Sequence, residues 1–414
     1  MPKRQGVEPP RRSSATLRGP VSFARLLVFL SVVLTLIGGI HLYFWLRLVR
    51  NTGMPMPWRL WVTAGLATLA LSMPLAFLLG RALPSPLRAG LAWTAFTWMG
   101  LMFLLFVLLL GTDLLRLVVH AGQAFGASAP VDPERRTVLA RVLGALAGGT
   151  AGLLGGYGVA KALGSLHVRR VDVTLGKLPE ALDGFSIIQL TDVHLGPMIG
   201  RSFTEKVVAM ANAETPDVIA ITGDLVDGSV EALREAAAPL ANLKAKYGVY
   251  FITGNHEYYS GVGPWLDELT RLGLRVLRNE HVVLGDEGAT LTLAGVDDAS
   301  AHRFGQGHGT DVAAALHGRP SKGPVVLLAH QPKTVKEAAP LGVDLQISGH
   351  THAGQIWPFS YLVKLDQPFV HGLHRTGDTQ IYVSPGTGYW GPPMRVGTQA
   401  EITRLVLRTG EPTV

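Results

Sequence analysis

Four apolar runs near the start constrain this chain more than any other feature. They are Leu26–Leu46, Leu60–Gly80, Leu91–Leu110 and Val142–Ala160, and each is nearly free of charge. A helix of about 20 such residues spans a ~30 Å hydrocarbon core. A helix buried in a water-soluble protein rarely stays uncharged for that length, so the first three are expected to cross a membrane. The fourth, within GALAGGTAGLLGGYG, is glycine-rich. Small residues let helices pack closely in lipid, which favours a fourth span, with a flexible linker as the alternative. Trp45, Trp58, Trp61, Trp93 and Trp98 lie in or near span ends, as in an interfacial aromatic belt. His41 and Asp113 are also near the ends, where interfacial placement is expected rather than a polar pathway.

Charge divides the chain at the same place. The net charge of +7 over 414 residues conceals a split after Arg170. Residues 1–170 hold 18 Lys and Arg against 4 Asp and Glu, a net of +14, and the remainder carries 19 against 26, a net of −7. The expected organisation is a disordered basic tail over 1–25, a membrane region over 26–163 and a folded domain over 171–414. The acidic balance of that domain argues against a nucleic-acid partner, because binding the phosphate backbone calls for a basic surface. The absence of cysteine excludes disulfides and thiolate metal sites.

Membrane orientation follows two conflicting rules. With the N-terminus inside, the inner segments carry 11 Lys and Arg and the outer ones 7. Without the tail the count reverses to 5 against 7. Cytoplasmic loops are the basic ones, so the tail decides the outcome. Arg135-Arg136-Thr137-Val138-Leu139 before the fourth run looks like a twin-arginine export signal. It is internal, with Val138 where a Phe is usual, and it works only from the cytoplasm. The side stays open, with a slight lean to an extracytoplasmic domain.

Beyond Val171 the pattern changes to short β-branched runs bounded by Gly, Asp or Pro. Phe185–Leu190, Val218–Thr222, Val249–Thr253, Leu291–Val296, Val325–Leu328, Leu345–Ser348, Ile381–Ser384 and Ile402–Leu407 read as strands. Helices near Thr204–Asn212 and Val230–Leu243 separate the first three, which implies βαβ units in a mixed sheet. Polar residues gather just after five strands: Thr191-Asp192-Val193-His194, Gly223-Asp224-Leu225-Val226-Asp227, Gly254-Asn255-His256-Glu257, Ala329-His330-Gln331 and Gly349-His350-Thr351-His352. Ligands of open α/β sheets sit outside the carboxyl ends of strands. Asp192, His194, Asp224, Asn255, His330, His350 and His352 offer carboxylate, amide and imidazole donors. These suit Zn, Mn, Fe or similar ions. Seven donors with one bridging carboxylate fit two divalent metal ions, which lower the pKa of a water and offset charge on phosphoryl oxygens.

The ordered blocks D-x-H, G-D-x-x-D, G-N-H-E, H and G-H-x-H resemble the calcineurin-like metallophosphoesterase superfamily. The stretches GHTHAGQIWP and SPGTGYWGPPMR are similar to its membrane-associated bacterial subgroup. The resemblance implies a four-layer α/β/β/α sandwich, preceded here by an all-α membrane region of about four helices. It assigns Asp192, His194 and His352 to one metal and Asn255, His330 and His350 to the other, with Asp224 bridging. It implies that His256 protonates the leaving oxygen or stabilises the transferring phosphoryl, and that Asp227 orients His256. Arg395 is a weaker candidate for substrate phosphate, since Arg binds phosphate bidentately.

His281, His302, His308, His317, His371 and His374 match no block and are expected in loops or on the surface. Asp297-Asp298 is expected in a turn. Trp357, Tyr389 and Trp390 could line a groove, touch lipid or simply pack. The expectation is a multi-pass membrane protein that hydrolyses phosphate mono- or diesters or pyrophosphate, with a lipid-linked substrate suggested by the nearby bilayer. A nucleotide phosphodiesterase and a non-catalytic membrane sensor or scaffold remain the alternatives.

Overall fold

A computed structural model describes residues 23–79, 82–123, 132–164, 166–286 and 288–411. Nearly all of the expected basic tail, together with Gly80 and Arg81, lies outside these residues. The first half forms α1 (Phe23–Phe44), extended by a π-helical segment Trp45–Arg50, then α2 (Trp58–Leu79), α3 (Ser85–Gln123) and α4 (Pro133–Leu163). Among the described residues, four helices are long and apolar enough to cross a membrane by length and composition. The fourth apolar run is helical, with Asp132 capping α4 by accepting from Glu134 N. At 39 residues, α3 is ~58 Å long and exceeds the thickness of a bilayer core.

His41 and Asp113 work inside the bundle. Trp98 Nε1 donates to His41 Nε2 at 2.9 Å. Asp113 pairs with Arg47 and accepts from Tyr43 Oη at 2.8 Å. These polar contacts join α1 to α3, and they satisfy groups that hydrocarbon would penalise.

The second half is built from two six-stranded sheets. Its elements are β1 (His167–Leu175), β2 (Ser186–Leu190), α5 (Arg201–Ala213), β3 (Val218–Ile221), α6 (Val230–Ala237), β4 (Val249–Phe251), α7 (Asn255–Ser260), α8 (Val262–Arg271) and β5 (Arg275–Val276). There follow β6 (Glu280–Asp286), β7 (Ala289–Gly295), α9 (Val312–Leu316), β8 (Val325–Leu328), α10 (Val335–Ala338), β9 (Leu345–Ser348), α11 (Ser360–Val363), β10 (Gly372–Thr376), β11 (Thr379–Val383) and β12 (Glu401–Thr409). One sheet has the order β1-β12-β2-β3-β4-β5 and the other β10-β11-β9-β8-β7-β6. Parallel pairing dominates; β12 with β2, β10 with β11 and β6 with β7 are antiparallel.

Alternation along the strands explains the layers. Ile187, Val218, Leu293, Val326, Leu345 and Leu405 meet between the sheets. Their neighbours Ile188, Leu190, Ile219 and Ile221 face the other way, against Val207, Ala211, Leu233, Trp265 and Leu269 of α5, α6 and α8. Ala294, Val325 and Leu327 pack on Val312, Ala315 and Ala338 of α9 and α10. Both strand faces are therefore buried, which is why these strands read as continuous apolar runs. The result is the four-layer α/β/β/α sandwich.

Helices and sandwich meet in one core. Met394, Ile356 and Val396 of the sandwich cluster with Phe44, Leu104, Leu105, Ala147 and Ala151 of the helices. Arg395 N donates to the Gly158 carbonyl of α4 at 2.9 Å. A Cβ on Gly158 would stand 2.9 Å from Val396 Cγ2 and 3.3 Å from Met394 Cβ, so only glycine lets α4 come this close. Gly158→Leu is expected to destabilise the protein by about 1–3 kcal/mol through overpacking, read as a lower Tm in detergent. Gly148→Leu, where a Cβ meets nothing within 4 Å, serves as the control and is expected to leave Tm unchanged.

Candidate metal centre

The strand ends deliver all seven donor residues to one edge of the sandwich. Asp192 and His194 follow β2, Asp224 follows β3, and Asn255 opens α7 after β4. His330 follows β8, and His350 and His352 follow β9. Close approach of these ends requires glycine. A Cβ on Gly254 would lie 2.2 Å from Asp224 Oδ1, and one on Gly349 would lie 2.1 Å from Asp192 Oδ2. Asp192, His194, Asp224, His350 and His352 all have positive φ, between 48° and 70°. Non-glycine residues rarely adopt that conformation, and it concentrates where function imposes it.

The donors form two groups. Asp192, His194 and His352 bring ligand atoms within 4.8 Å of one another, and so do Asp224, His330 and His350. In the first, His194 Nε2 is 3.1 Å from His352 Nε2, and His352 Nε2 is 3.3 Å from Asp192 Oδ1. In the second, His330 Nε2 lies 3.1 Å from Asp224 Oδ2 and 3.3 Å from His350 Nδ1.

Second partners fix the tautomers. His194 Nδ1 bonds Asp227 Oδ2 at 3.1 Å, and His330 Nδ1 bonds the Thr222 carbonyl at 2.8 Å. Each ring donates its proton there, so Nε2 presents a lone pair to the opposing imidazole. The opposing ring can answer that lone pair with an N–H, or the two rings can share a metal ion. Nitrogen donors at 2.0–2.1 Å from a tetrahedral ion are ~3.4 Å apart, close to both spacings. Asn255 Oδ1 is buried without a hydrogen-bond partner, an acceptor that a cation would satisfy. The residues therefore fit divalent metal ions.

The electrostatics agree. Burial disfavours charge on Asp224, yet His330 and His256 outweigh it and hold its pKa well below the usual carboxylate value. Burial likewise opposes a charge on His330, but Asp224 wins and raises its pKa well above the usual histidine value. The carboxylate thus demands a proton or a metal ion at its side. Burial, aided by His194 and Arg395, keeps His352 neutral with its pKa well lowered. Burial and the charge of His330 also lower the pKa of His350. Neutral imidazole is the ligating form.

A third group lies beside the first. Asp227 accepts from His256 Nδ1 at 2.5 Å through Oδ1 while its Oδ2 holds His194. One carboxylate therefore positions two imidazoles, and only the contact to His256 was expected. Burial opposes protonation of His256, but Asp224 and Asp227 prevail and push its pKa up to about 9. Tyr259 and Trp390, both exposed, set their rings edge-on to His256 at 5.3 and 5.7 Å.

Arg395 departs from the expectation of a phosphate ligand. It is fully buried, and Nη2 donates to the carbonyls of Pro385 at 2.8 Å and Gly388 at 2.6 Å. Burial lowers its pKa to about 10, so it remains charged and braces the loop behind Asp192. Its complete burial leaves no open face for substrate. Asp297 is paired to Arg278 at 2.9 and 2.6 Å. Asp298 accepts from Gln331 Nε2, next to His330. His281 bonds the Ala315 carbonyl, away from the donor groups.

A family model described as calcineurin-like phosphoesterase matches residues 185–354. A Danio rerio protein named transmembrane protein with metallophosphoesterase domain is 43% identical over 282 residues, covering 66% of this chain and 63% of its own. The Bacillus subtilis protein YkuE, named an uncharacterized metallophosphoesterase, is 31% identical over 286 residues, covering 67% of this chain and 98% of its own. The chain belongs to the calcineurin-like phosphoesterase family. Relatives of this chain come from vertebrates as well as bacteria, including a Bos taurus protein 41% identical over 300 residues, 70% of this chain. The resemblance is therefore wider than a bacterial subgroup. The chain spans just under two thirds of the length of the two vertebrate relatives, 63% and 66%.

Glu257 is the residue of the site whose role sequence reasoning missed. It is wholly buried and accepts from Gly254 N at 2.6 Å, Leu225 N at 2.8 Å and Asp224 N at 3.0 Å. It ties the end of β3 to the start of α7. Burial and the Asp224 charge push its pKa up to about 7. The only signal was its place in the G-N-H-E block. Glu257→Gln substitutes an NH2 group for an acceptor facing these donors. The expected cost is about 1–3 kcal/mol, measured by denaturant unfolding; an unchanged midpoint would show that the three bonds do not hold the site.

Proposed function

We propose that this protein is a membrane-anchored phosphoesterase with a dinuclear metal centre, hydrolysing phosphate mono- or diesters or pyrophosphate. The convergence of ligand atoms, Asp192, His194 and His352 in one group and Asp224, His330 and His350 in the next, is the observation that carries the reading. Asp192, His194 and His352 hold one divalent ion. Asn255, His330 and His350 hold the other, and Asp224 bridges them. Mn, Zn and Fe all suit these donors. When bound, such a pair supplies a water of lowered pKa and offsets charge on the phosphoryl oxygens.

The remaining work falls to the chain. His256 is protonated at neutral pH, as its raised pKa implies, and it gives that proton to the leaving oxygen. Asp227 holds Nδ1, leaving Nε2–H as the donating atom. Tyr259 and Trp390 flank this imidazole and limit where the leaving group can sit. The junction between site and helices supports a lipid-linked substrate. Ile356, four residues after His352, packs among the helices.

Four crossings return the chain to the side on which it began, and Arg135-Arg136 then stand at the opposite face. The extracytoplasmic reading puts that pair in the cytoplasm. A C-terminal reporter active only outside the cytoplasm is expected to be active, and an inactive reporter on stable protein reverses the orientation.

Asp224→Asn is expected to abolish hydrolysis of an aryl phosphodiester and to lower bound metal, read by elemental analysis. Wild-type turnover would refute the dinuclear reading. His256→Ala should keep its metal yet lose about 100-fold or more in rate on esters with poor leaving groups, and far less on activated aryl esters. Equal loss on both classes would remove His256 from the acid role.

A further inference from the structure

We propose that the segment 357–365 is a membrane-inserted lip, which dips into the bilayer beside the metal centre. This inference rests on reading the four long helices as membrane spans. The segment reads WPFSYLVKL, and Trp357, Phe359, Tyr361, Leu362 and Leu365 are all exposed, Leu365 to 84%. Large apolar side chains clustered on a surface mark a place of contact with a partner or a membrane. Its one charge, Lys364, extends over the Tyr361 ring at 5.6 Å. An aromatic-rich surface with a single flexible cation is what an interfacial element presents: rings at headgroup level and an ammonium that reaches back to water.

Two anchors hold this lip at the site. On one side, Ile356 is buried in the helix core, and Gln355 Nε2 donates to the carbonyls of Trp390 at 2.9 Å and Pro392 at 3.0 Å. That anchor lies three residues after His352. On the other side, Gln367 accepts from Lys333 N at 3.0 Å and donates to Gln331 Oε1 at 3.3 Å. Gln331 directly follows His330. The lip therefore hangs between one donor residue of each metal group.

The bilayer is the occupant because the patch continues the lipid-facing surface of the helices. The Phe359 ring meets Phe103 edge-on at 5.9 Å. Phe103 lies midway along α3, inside the apolar run Leu91–Leu110. A residue touching the middle of a spanning run stands at membrane depth, not in bulk water. A second copy of this chain would need no such alignment with α3. Insertion here would place the metal centre where the phosphate of an amphiphile can enter while its apolar part stays in lipid.

The absence of native cysteine permits single-site labelling of the full chain. Leu365→Cys, Leu153→Cys and Glu235→Cys carry an environment-sensitive fluorophore in nanodiscs of phosphatidylcholine and phosphatidylglycerol. Leu153 is exposed on α4 and reports whether the helices span. Glu235 is exposed on α6 and reports bulk water. Labels at 153 and 365 are expected to be quenched severalfold more by doxyl-labelled lipid than the label at 235, and to resist aqueous iodide. Quenching at 153 but not at 365 overturns the lip and leaves the spans intact. Failure at 153 overturns both. A label at 365 shielded from iodide and untouched by doxyl lipid means that protein covers the patch, which also overturns the proposal.

Discussion

The site is organised around one buried negative charge. The Asp224 carboxylate is removed from water, and a buried charge persists only with close compensation. His330 meets one oxygen at 3.1 Å, and the backbone N–H of His256 donates to the other at 2.8 Å. Around it stand five more donors on three other strand ends. Each is placed so that positive charge delivered at Asp224 also satisfies its own lone pair. Removing that charge would leave imidazoles facing imidazoles and Asn255 Oδ1 without a partner. A metal ion bound at this edge would therefore be coupled to its stability, as expected where a site is fully formed only in the folded chain.

Holding so many donors at one edge strains the backbone. Asp192, His194, Asp224, His350 and His352 each sit in the left-handed region, which costs of the order of 1–3 kcal/mol at a non-glycine residue. The surroundings hold them there. Asp192 accepts from Thr191 Oγ1 at 2.7 Å and from His350 N at 3.0 Å. Glu257 clamps Asp224 N, Leu225 N and Gly254 N. A carboxylate outside the candidate donor set thus helps to hold that set in place.

The clustered residues were legible in the sequence because each block follows an apolar strand, and three of the five blocks open on a glycine. The architecture was legible for the same reason: strands buried on both faces give continuous β-branched runs. The edge and hairpin strands β1, β5, β6 and β10 gave no such run. β1, HVRRVDVTL, alternates and is charged on its outer part, so its first residues were read as the exit from the membrane. Glu257 and the second contact of Asp227 were hidden because backbone acceptors and paired imidazoles leave no periodic trace. Arg395 misled because a guanidinium near a Gly-rich strand end suits phosphate in one rotamer and backbone carbonyls in another, and only burial distinguishes them.

The glycines of α4 show how local pattern and tertiary need diverge. The run was read as a surface for close helix packing in lipid, but only part of it is used that way. Gly148, Gly149, Gly152 and Gly156 have open space where a Cβ would be, whereas Gly155 lies against Leu101 and Gly158 against Met394 and Val396. Gly155 thus serves packing against α3, while Gly158 serves the junction with the sandwich. Met394 is placed by the same loop that Arg395 braces, and that loop returns through Gly386 and Gly388 to the back of Asp192. A shift of α4 relative to α3 would move Met394 first and the wall of the metal centre next. The helices are therefore more than a tether, since one wall of the site is packed against them.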